Sequence, residues 1–395
     1  MHTKVLSQWI GDRAIVGHEA RATSLAKVVG AVLVGGRLSL TDIGRRVDGP
    51  AQVKHQIKMV DRLLGNRHLH REKDGIYRAV AETLLRGNSR PVIIVDWSDF
   101  ELGRRWLMLK AALPVGGRAI SVYERVFPFK RYNSPGAHRE FLSCLRSVLP
   151  PDCRPIIVTD AGFRGPWFRD VEAHNWHWVG RIRNKIKYYK SSTSRWCFTD
   201  SLYPLATPNP RYLGEVSLSR RHRYLFRLYL VRAHKTRIGR PPSRGPMGKG
   251  TTMYRHLHRA PWLLATSLPH EIGSELRIKK LYSQRMQIEE TFRDLKCHRW
   301  GFCLRYARSN SAARLEILLL PGTLATLIAW IVGLVGRALH LNEQLQANTV
   351  RSRQVLSTFF IGRQLLCRFQ VDFPPSQVAL ALLTLRDQIS CHSGS

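Results

Sequence analysis

The residues of this sequence best suited to chemistry lie in the stretch LYSQRMQIEETFRDLK. Within it Tyr282, Arg285, Glu289, Arg293 and Lys296 follow one another at spacings of three, four, four and three residues. On a helix that spacing puts all five on one face. Glu289 is the lone carboxylate in a mostly cationic row, with Glu290 and Asp294 directed elsewhere. Leu281, Ile288, Phe292 and Leu295 share the same period and give the helix an apolar stripe to bury. A solvated face laced by Arg285/Glu289 and Glu289/Arg293 ion pairs would show the same spacing. Two more acids, Asp96 and Asp160, close the apolar runs PVIIVD and PIIVTD. Either alone could be a cap for the next helix. As a set, three carboxylates suit Mg²⁺, and two such ions about 4 Å apart can activate a water and stabilise the leaving oxygen of a phosphodiester. Arg285, Arg293 and Lys296 could hold neighbouring phosphates, Arg bidentately and Lys as a point charge. Tyr282 could donate a hydrogen bond to a phosphate or stack on a base.

The composition says what such a site would meet. The chain has 395 residues, and its 63 Lys and Arg against 28 Asp and Glu give a formal charge of +35 along its whole length. Such a surplus repels itself in a compact protein unless a polyanion neutralises it, so nucleic acid is the expected partner, ahead of a membrane surface or another acidic polymer. The seven cysteines are odd in number and form no CxxC pair, which suits reduced thiols in the cytoplasm. Cys297, His298 and Cys303 lack a second pair at zinc spacing. The N-terminus shows no signal-peptide run. Residues 317–335 are uncharged over about the length of a membrane span, but Pro321-Gly322 and Gly333 interrupt them, and a buried core helix is preferred to a span.

The elements that must position the acids can be read in order. Residues 1–88 are expected to form a helical DNA-binding domain. In it a short helix over 39–47, with Thr41 as its cap, is followed by the Gly49-Pro50 break and a second helix over 51–64. That is the outline of a helix-turn-helix, with Lys54, Lys58 and Arg62 on one side and Val53, Ile57, Val60 and Leu64 on the other. A basic solvated face on a helical bundle is the plainer alternative. From 89 to 183 strands take over: 91–96, 106–115 and 119–127, with Gly116-Gly117 as a hairpin turn. A helix over 137–149, a strand over 155–160, a helix over 163–174 and a strand over 176–183 complete a mixed α/β sheet. Residues 184–260 read as a basic, mostly β insertion that touches phosphate, with a strand pair at 212–218 and 224–233 and a basic loop at 236–250. Residues 261–308 resume with a strand at 261–266 and the signature helix. The C-terminal region, 309–395, reads as helices over 312–339, 345–369 and 378–389.

The spacing Tyr282, Arg285, Glu289, Lys296 resembles the Y-R-E-K signature of the insertion-sequence-four family of bacterial DDE transposases. VDWSD around Asp96 and VTDAGF around Asp160 are similar to that family's first and second acid motifs, and the likeness extends to GNRHLH at 65–70 and QANTVR at 346–351. The resemblance implies an RNase H-like catalytic domain with a β insertion between the second Asp and the Glu. It implies Asp96, Asp160 and Glu289 as catalytic residues and as ligands of two Mg²⁺ ions, for which Mn²⁺ can substitute. It further implies cut-and-paste transposition through a DNA hairpin, a homodimer on paired transposon ends, target DNA as the second substrate, and no membrane. Trp262 corresponds in position to a tryptophan that stacks with a flipped base in related transposases; as a strand residue it could equally serve the core. A nuclease or resolvase that cuts without joining, or a non-catalytic DNA-binding repressor, would share much of this sequence.

Overall fold

The computed structural model describes residues 16–35, 37–100, 105–183, 186–190, 194–218, 224–232, 260–299, 301–309, 311–350, 353–368 and 373–393. The basic loop expected at 236–250 and the last residue of QANTVR lie outside the described residues. The chain divides into two compact units. One joins Met1–Pro155 to Met286–Ser395, and the other is Ile156–Arg285.

The first unit begins with helices α1 (Glu19–Gly35), α2 (Leu40–Arg46), α3 (Val53–Leu64) and α4 (Arg67–Leu85). The cap of α2 is Ser39, whose hydroxyl oxygen accepts the Asp42 N–H at 3.3 Å. Thr41, the expected cap, sits inside the first turn, because the Ser39 side chain already reaches the free N–H. The turn before α3 is tied by buried Gln56, which donates to the carbonyls of Gly49 (3.2 Å) and Ala51 (3.1 Å). Val60, Leu63 and Leu64 are buried, but Val53, expected with them, is exposed as the first residue of the helix.

The meander β1 (Val92–Asp99), β2 (Trp106–Val115) and β3 (Arg118–Pro128) follows, then α5 (Pro135–Val148). Gly116 and Gly117 hold φ of +49° and +85°, the left-handed conformation that a tight hairpin turn needs. Strand β1 does not stop at Asp96: β2 goes on pairing Trp97, Ser98 and Asp99 with Leu109, Met108 and Leu107. The register sets Asp96 opposite Lys110 and Lys110 opposite Glu124, one row across three strands.

The second unit runs β4 (Ile156–Thr159), α6 (Gly165–Glu172), β5 (His177–Ile182), β6 (Lys187–Lys190), β7 (Arg195–Phe198), β8 (Arg211–Leu218), β9 (Tyr224–Val231), β10 (Trp262–Thr266) and α7 (Glu275–Ser283). Its strands are ordered β4-β5-β10-β9-β8-β6-β7, and only β4 with β5 is parallel. The core here is aromatic: Phe168 stacks on Trp178 at 3.9 Å, and Phe226 meets Trp178 edge-on at 4.8 Å.

The chain then returns to the first unit with α8 (Met286–Lys296), α9 (Ala312–Ala338), α10 (Thr358–Arg368) and α11 (Pro375–Ser393). The single helix expected over 281–296 is therefore two. Gln284 and Arg285 form a turn in which their N–H groups reach back three residues, to Leu281 (3.3 Å) and Tyr282 (3.1 Å). Helix α9 continues unbroken through Pro321. By length and composition it could cross a membrane, yet 83% of its most apolar window is buried, covered by α1, α10, α11 and β3. Gly333 does not interrupt it. A Cβ there would lie 2.0 Å from the Thr358 carbonyl oxygen, and one on Gly362 would lie 1.6 Å from that of Ala329, so the two glycines let α9 and α10 touch backbone to backbone. In place of one helix expected over 345–369, α10 spans Thr358–Arg368, and Glu343–Leu345 is a 3-10 turn.

Candidate active site

In the second unit the site is built around Asp160, which follows the fully buried strand β4. Its Oδ1 accepts the Gly162 N–H at 2.8 Å, which fixes the direction of the carboxylate. Arg181 lies on the neighbouring strand β5 and Arg183 is the first residue past its end, near enough for the two charges to act on each other. Arg181 is almost wholly buried; its Nη2 donates to the carbonyls of Ala260 (2.9 Å) and Pro261 (3.2 Å). The Nε atoms of Arg181 and Arg183 are both buried with no hydrogen-bond partner among the described residues. Burial pulls the Arg181 pKa below its usual value, opposed by the charge and hydrogen bond of Tyr282.

Tyr282 completes this group from α7. Burial raises its phenol above the ordinary value, while Arg285 and Arg181 pull it back and Asp160 adds to the rise. The phenol is therefore a neutral donor. Its ring meets Trp262 edge-on, with centroids 5.0 Å apart. Asp160, Arg181, Arg183, Tyr282 and Arg285 thus share one electrostatic neighbourhood. Unpartnered guanidinium N–H groups beside a neutral phenol are what a phosphate would satisfy. Sequence reasoning missed Arg181 and Arg183. The signal was the Arg-Ile-Arg alternation at the end of the strand expected over 176–183.

In the first unit Asp96 sits half-buried in β1, its Oδ1 accepting the Trp97 N–H at 2.8 Å. The Trp97 indole donates to His138 Nε2 at 3.4 Å. Burial drives the His138 pKa down to about 4, so its imidazole is neutral and can accept that bond. Glu289 stands exposed in the first turn of α8. That helix is fixed from its other side. Thr291 Oγ1 accepts the Ala119 N–H at 2.7 Å, Arg118 Nε reaches Asp294 at 2.6 Å, and Ile288, Phe292 and Leu295 are buried as their spacing required. Burial raises the Asp294 carboxyl, and Arg118 opposes the rise.

The cations expected beside Glu289 divide. Glu289, Arg293 and Lys296 do share one side of α8, whereas Tyr282 lies on α7 and Arg285 in the turn between the helices. Arg293 is exposed and pairs with Glu290 at 2.7 Å. Lys296 pairs with Asp99 at the end of β1. Burial would raise the Asp99 carboxyl, but the Lys296 hydrogen bond and charge outweigh it and hold the group below its usual value. Any phosphate that Lys296 touches must share it with Asp99. In the helical segment Lys54, Lys58 and Arg62 are exposed along one side of α3.

The expected metal ligands are divided between the units: Asp96 and Glu289 belong to the first, Asp160 to the second. Among the described residues neither unit by itself gathers three His, Cys, Asp or Glu side chains into a metal site. The donor chemistry nevertheless fits a hard ion. All three groups are carboxylates, and the two aspartates have their aim set by backbone N–H groups.

The family model of the transposase DDE domain matches residues 87–328. No individually curated protein matches the chain.

Proposed function

The chain belongs to the transposase DDE-domain family, and on that premise we propose that it is a DNA transposase. It binds the terminal inverted repeats of an insertion sequence and moves the element by cut and paste, with hydrolysis, hairpin formation and strand transfer performed by one catalytic domain of RNase H-like fold. The observation that carries this reading is that the matched stretch contains Asp96, Asp160 and Glu289 together with Tyr282, Arg285, Arg293 and Lys296. At a finer level we infer, from the resemblance of its motifs, membership of the insertion-sequence-four branch with the Y-R-E-K signature, close to the transposase of the composite tetracycline-resistance transposon.

Asp96, Asp160 and Glu289 are the residues that would hold two Mg²⁺, or Mn²⁺ in its place. Such ions activate water and stabilise a leaving phosphodiester oxygen when bound. The other side chains bind and orient. Arg181, Arg183 and Arg285 carry the phosphate next to the scissile one, and Tyr282 donates to it from its neutral phenol. Trp262, half-buried beside Tyr282, receives an unstacked base, a step whose cost of a few kcal/mol an aromatic partner offsets. Arg293 and Lys296 extend the grip along the strand, and Lys54, Lys58 and Arg62 hold the inverted repeat. The protein acts as a homodimer on paired ends, in the cytoplasm at the nucleoid.

The test is incubation of the purified chain with Mg²⁺, a labelled fragment ending in the element's own inverted repeat, and a target plasmid. Hairpin ends and joined products on a denaturing gel support the proposal. Nicks without joining would replace it with a nuclease, and binding without cleavage with a repressor.

A further inference from the structure

The turn after β3 carries an exposed aromatic pair that the proposed reaction leaves unused. Phe129 and Tyr132 bracket the short 3-10 turn Phe129–Arg131, which is closed by the Tyr132 N–H donating to the Phe129 carbonyl at 2.8 Å. The Phe129 N–H in turn donates to the Arg105 carbonyl at 3.0 Å, so the turn is anchored at its entry. The two rings are parallel within 7°, with centroids 6.2 Å apart, and Phe129 and Tyr132 are 51% and 48% exposed. A planar base sandwiched between two rings needs twice the contact distance between carbons, about 7 Å. The ring planes here lie no farther apart than their 6.2 Å centroid separation, so a base enters only when the Phe129 ring swings outward.

One jaw is fixed and the other is free to adjust. Tyr132 packs edge-on against Trp97 at 5.5 Å, and Trp97 against Phe127 at 5.6 Å. Trp97 directly follows Asp96 and donates its backbone N–H to that carboxylate. Phe129 has no ring contact besides Tyr132 among the described residues. Between them Lys130 is exposed and has no acidic partner among the described residues. Arg131 lies over the Phe127 ring at 5.0 Å and pairs with Glu140 at 2.7 Å, which stiffens the turn. Parallel planar faces, a free cation beside them and a chain of net charge +35 favour a nucleobase with its phosphate over an apolar peptide.

We propose that Phe129 and Tyr132 clamp one unpaired nucleobase of the DNA strand that passes Asp96, with Lys130 on the adjoining phosphate. The clamp rests on the reading of DNA as substrate. It is separate from the Trp262 position, which belongs to the other unit.

The experiment uses the full chain and a duplex with a single-stranded tail bearing one 2-aminopurine, beside the same duplex with an abasic position there. Wild type should quench the 2-aminopurine and bind it more tightly than the abasic duplex by about 5-fold or more. Phe129→Ala should lose both effects while binding the abasic duplex as wild type does, and Phe129→Trp should restore them. Phe129 is exposed, so the thermal midpoint of Phe129→Ala should not move; Tyr132→Leu gives a second reading from the other jaw. Undiminished quenching and discrimination in both Phe129→Ala and Tyr132→Leu would overturn the clamp. Equal binding of both duplexes by wild type without quenching would remove the clamp and leave the substrate reading standing, whereas failure to bind either duplex would remove both.

Discussion

Replacing Lys110 with methionine should destabilise the first unit by about 3 kcal/mol. Lys110 is fully buried in the middle of the meander, and its Nζ lies 2.7 Å from Oε1 of Glu124, which is equally buried. Glu124 also accepts hydrogen bonds from Tyr77 (3.0 Å), Thr323 (2.7 Å) and Ser121 (3.2 Å). Burial, reinforced by the Glu124 charge, holds the Tyr77 phenol well above its usual pKa, so it stays a donor. Removing one member of a buried pair costs about 3–5 kcal/mol, because the other charge is left without its partner. The three remaining donors put Lys110→Met at the lower end of that range, and methionine keeps most of the buried stem, so little is added by a cavity. Glu124→Gln should lose a similar amount, and the double variant should fall short of the sum by about 2 kcal/mol. Urea unfolding of the full chain reads this as a shift of midpoint at constant slope. A loss below about 1 kcal/mol for Lys110→Met, or additive single losses, would refute the claim that this pair is desolvated.

Other consequences can be measured alongside. His138, neutral in the fold with its pKa near 4, takes up a proton more readily when unfolded, where its usual value is about 6.5. Its contribution is thus fully present above about pH 6.5 and is lost as pH falls towards 4, by about 3 kcal/mol in all, so the stability gap between wild type and His138→Gln should shrink across that window in urea titrations. Gly333→Ala puts a methyl 2.0 Å from the Thr358 carbonyl and should lower stability by about 3 kcal/mol, read as a drop in thermal midpoint. Alanine at Lys54, Lys58 and Arg62 together should reduce the slope of log affinity for transposon ends against log salt by about 2 to 3, as three lost phosphate contacts require. An unchanged slope would remove α3 from the DNA contact.

Much of the fold was legible because its signals are local. The runs before Asp96 and Asp160 are apolar on both faces, and each forms a buried strand. Gly116-Gly117 has the left-handed dihedrals of a hairpin turn. The break in the signature helix was not legible, since Gln284 and Arg285 are both good helix formers and the turn there is a tertiary choice. For the same reason the row of five residues is not one helical face. Arg181 was hidden by the ordinary expectation that a guanidinium in a strand faces water. The role of Ser39 could have been read from Asp42 three residues on, whose backbone N–H its hydroxyl caps. Gly333 reads as a helix weakness in one dimension and as a helix contact in three.

The central claim is that Asp96, Asp160 and Glu289 act as one catalytic set. The most direct measurement is Mg²⁺-dependent cleavage of a labelled transposon end by wild type, Asp96→Asn, Asp160→Asn and Glu289→Gln, with end binding followed in parallel by gel shift. Each variant should bind the end as wild type does and yield no nick, hairpin or joined product. Cleavage that survives any one of the three substitutions would contradict the account.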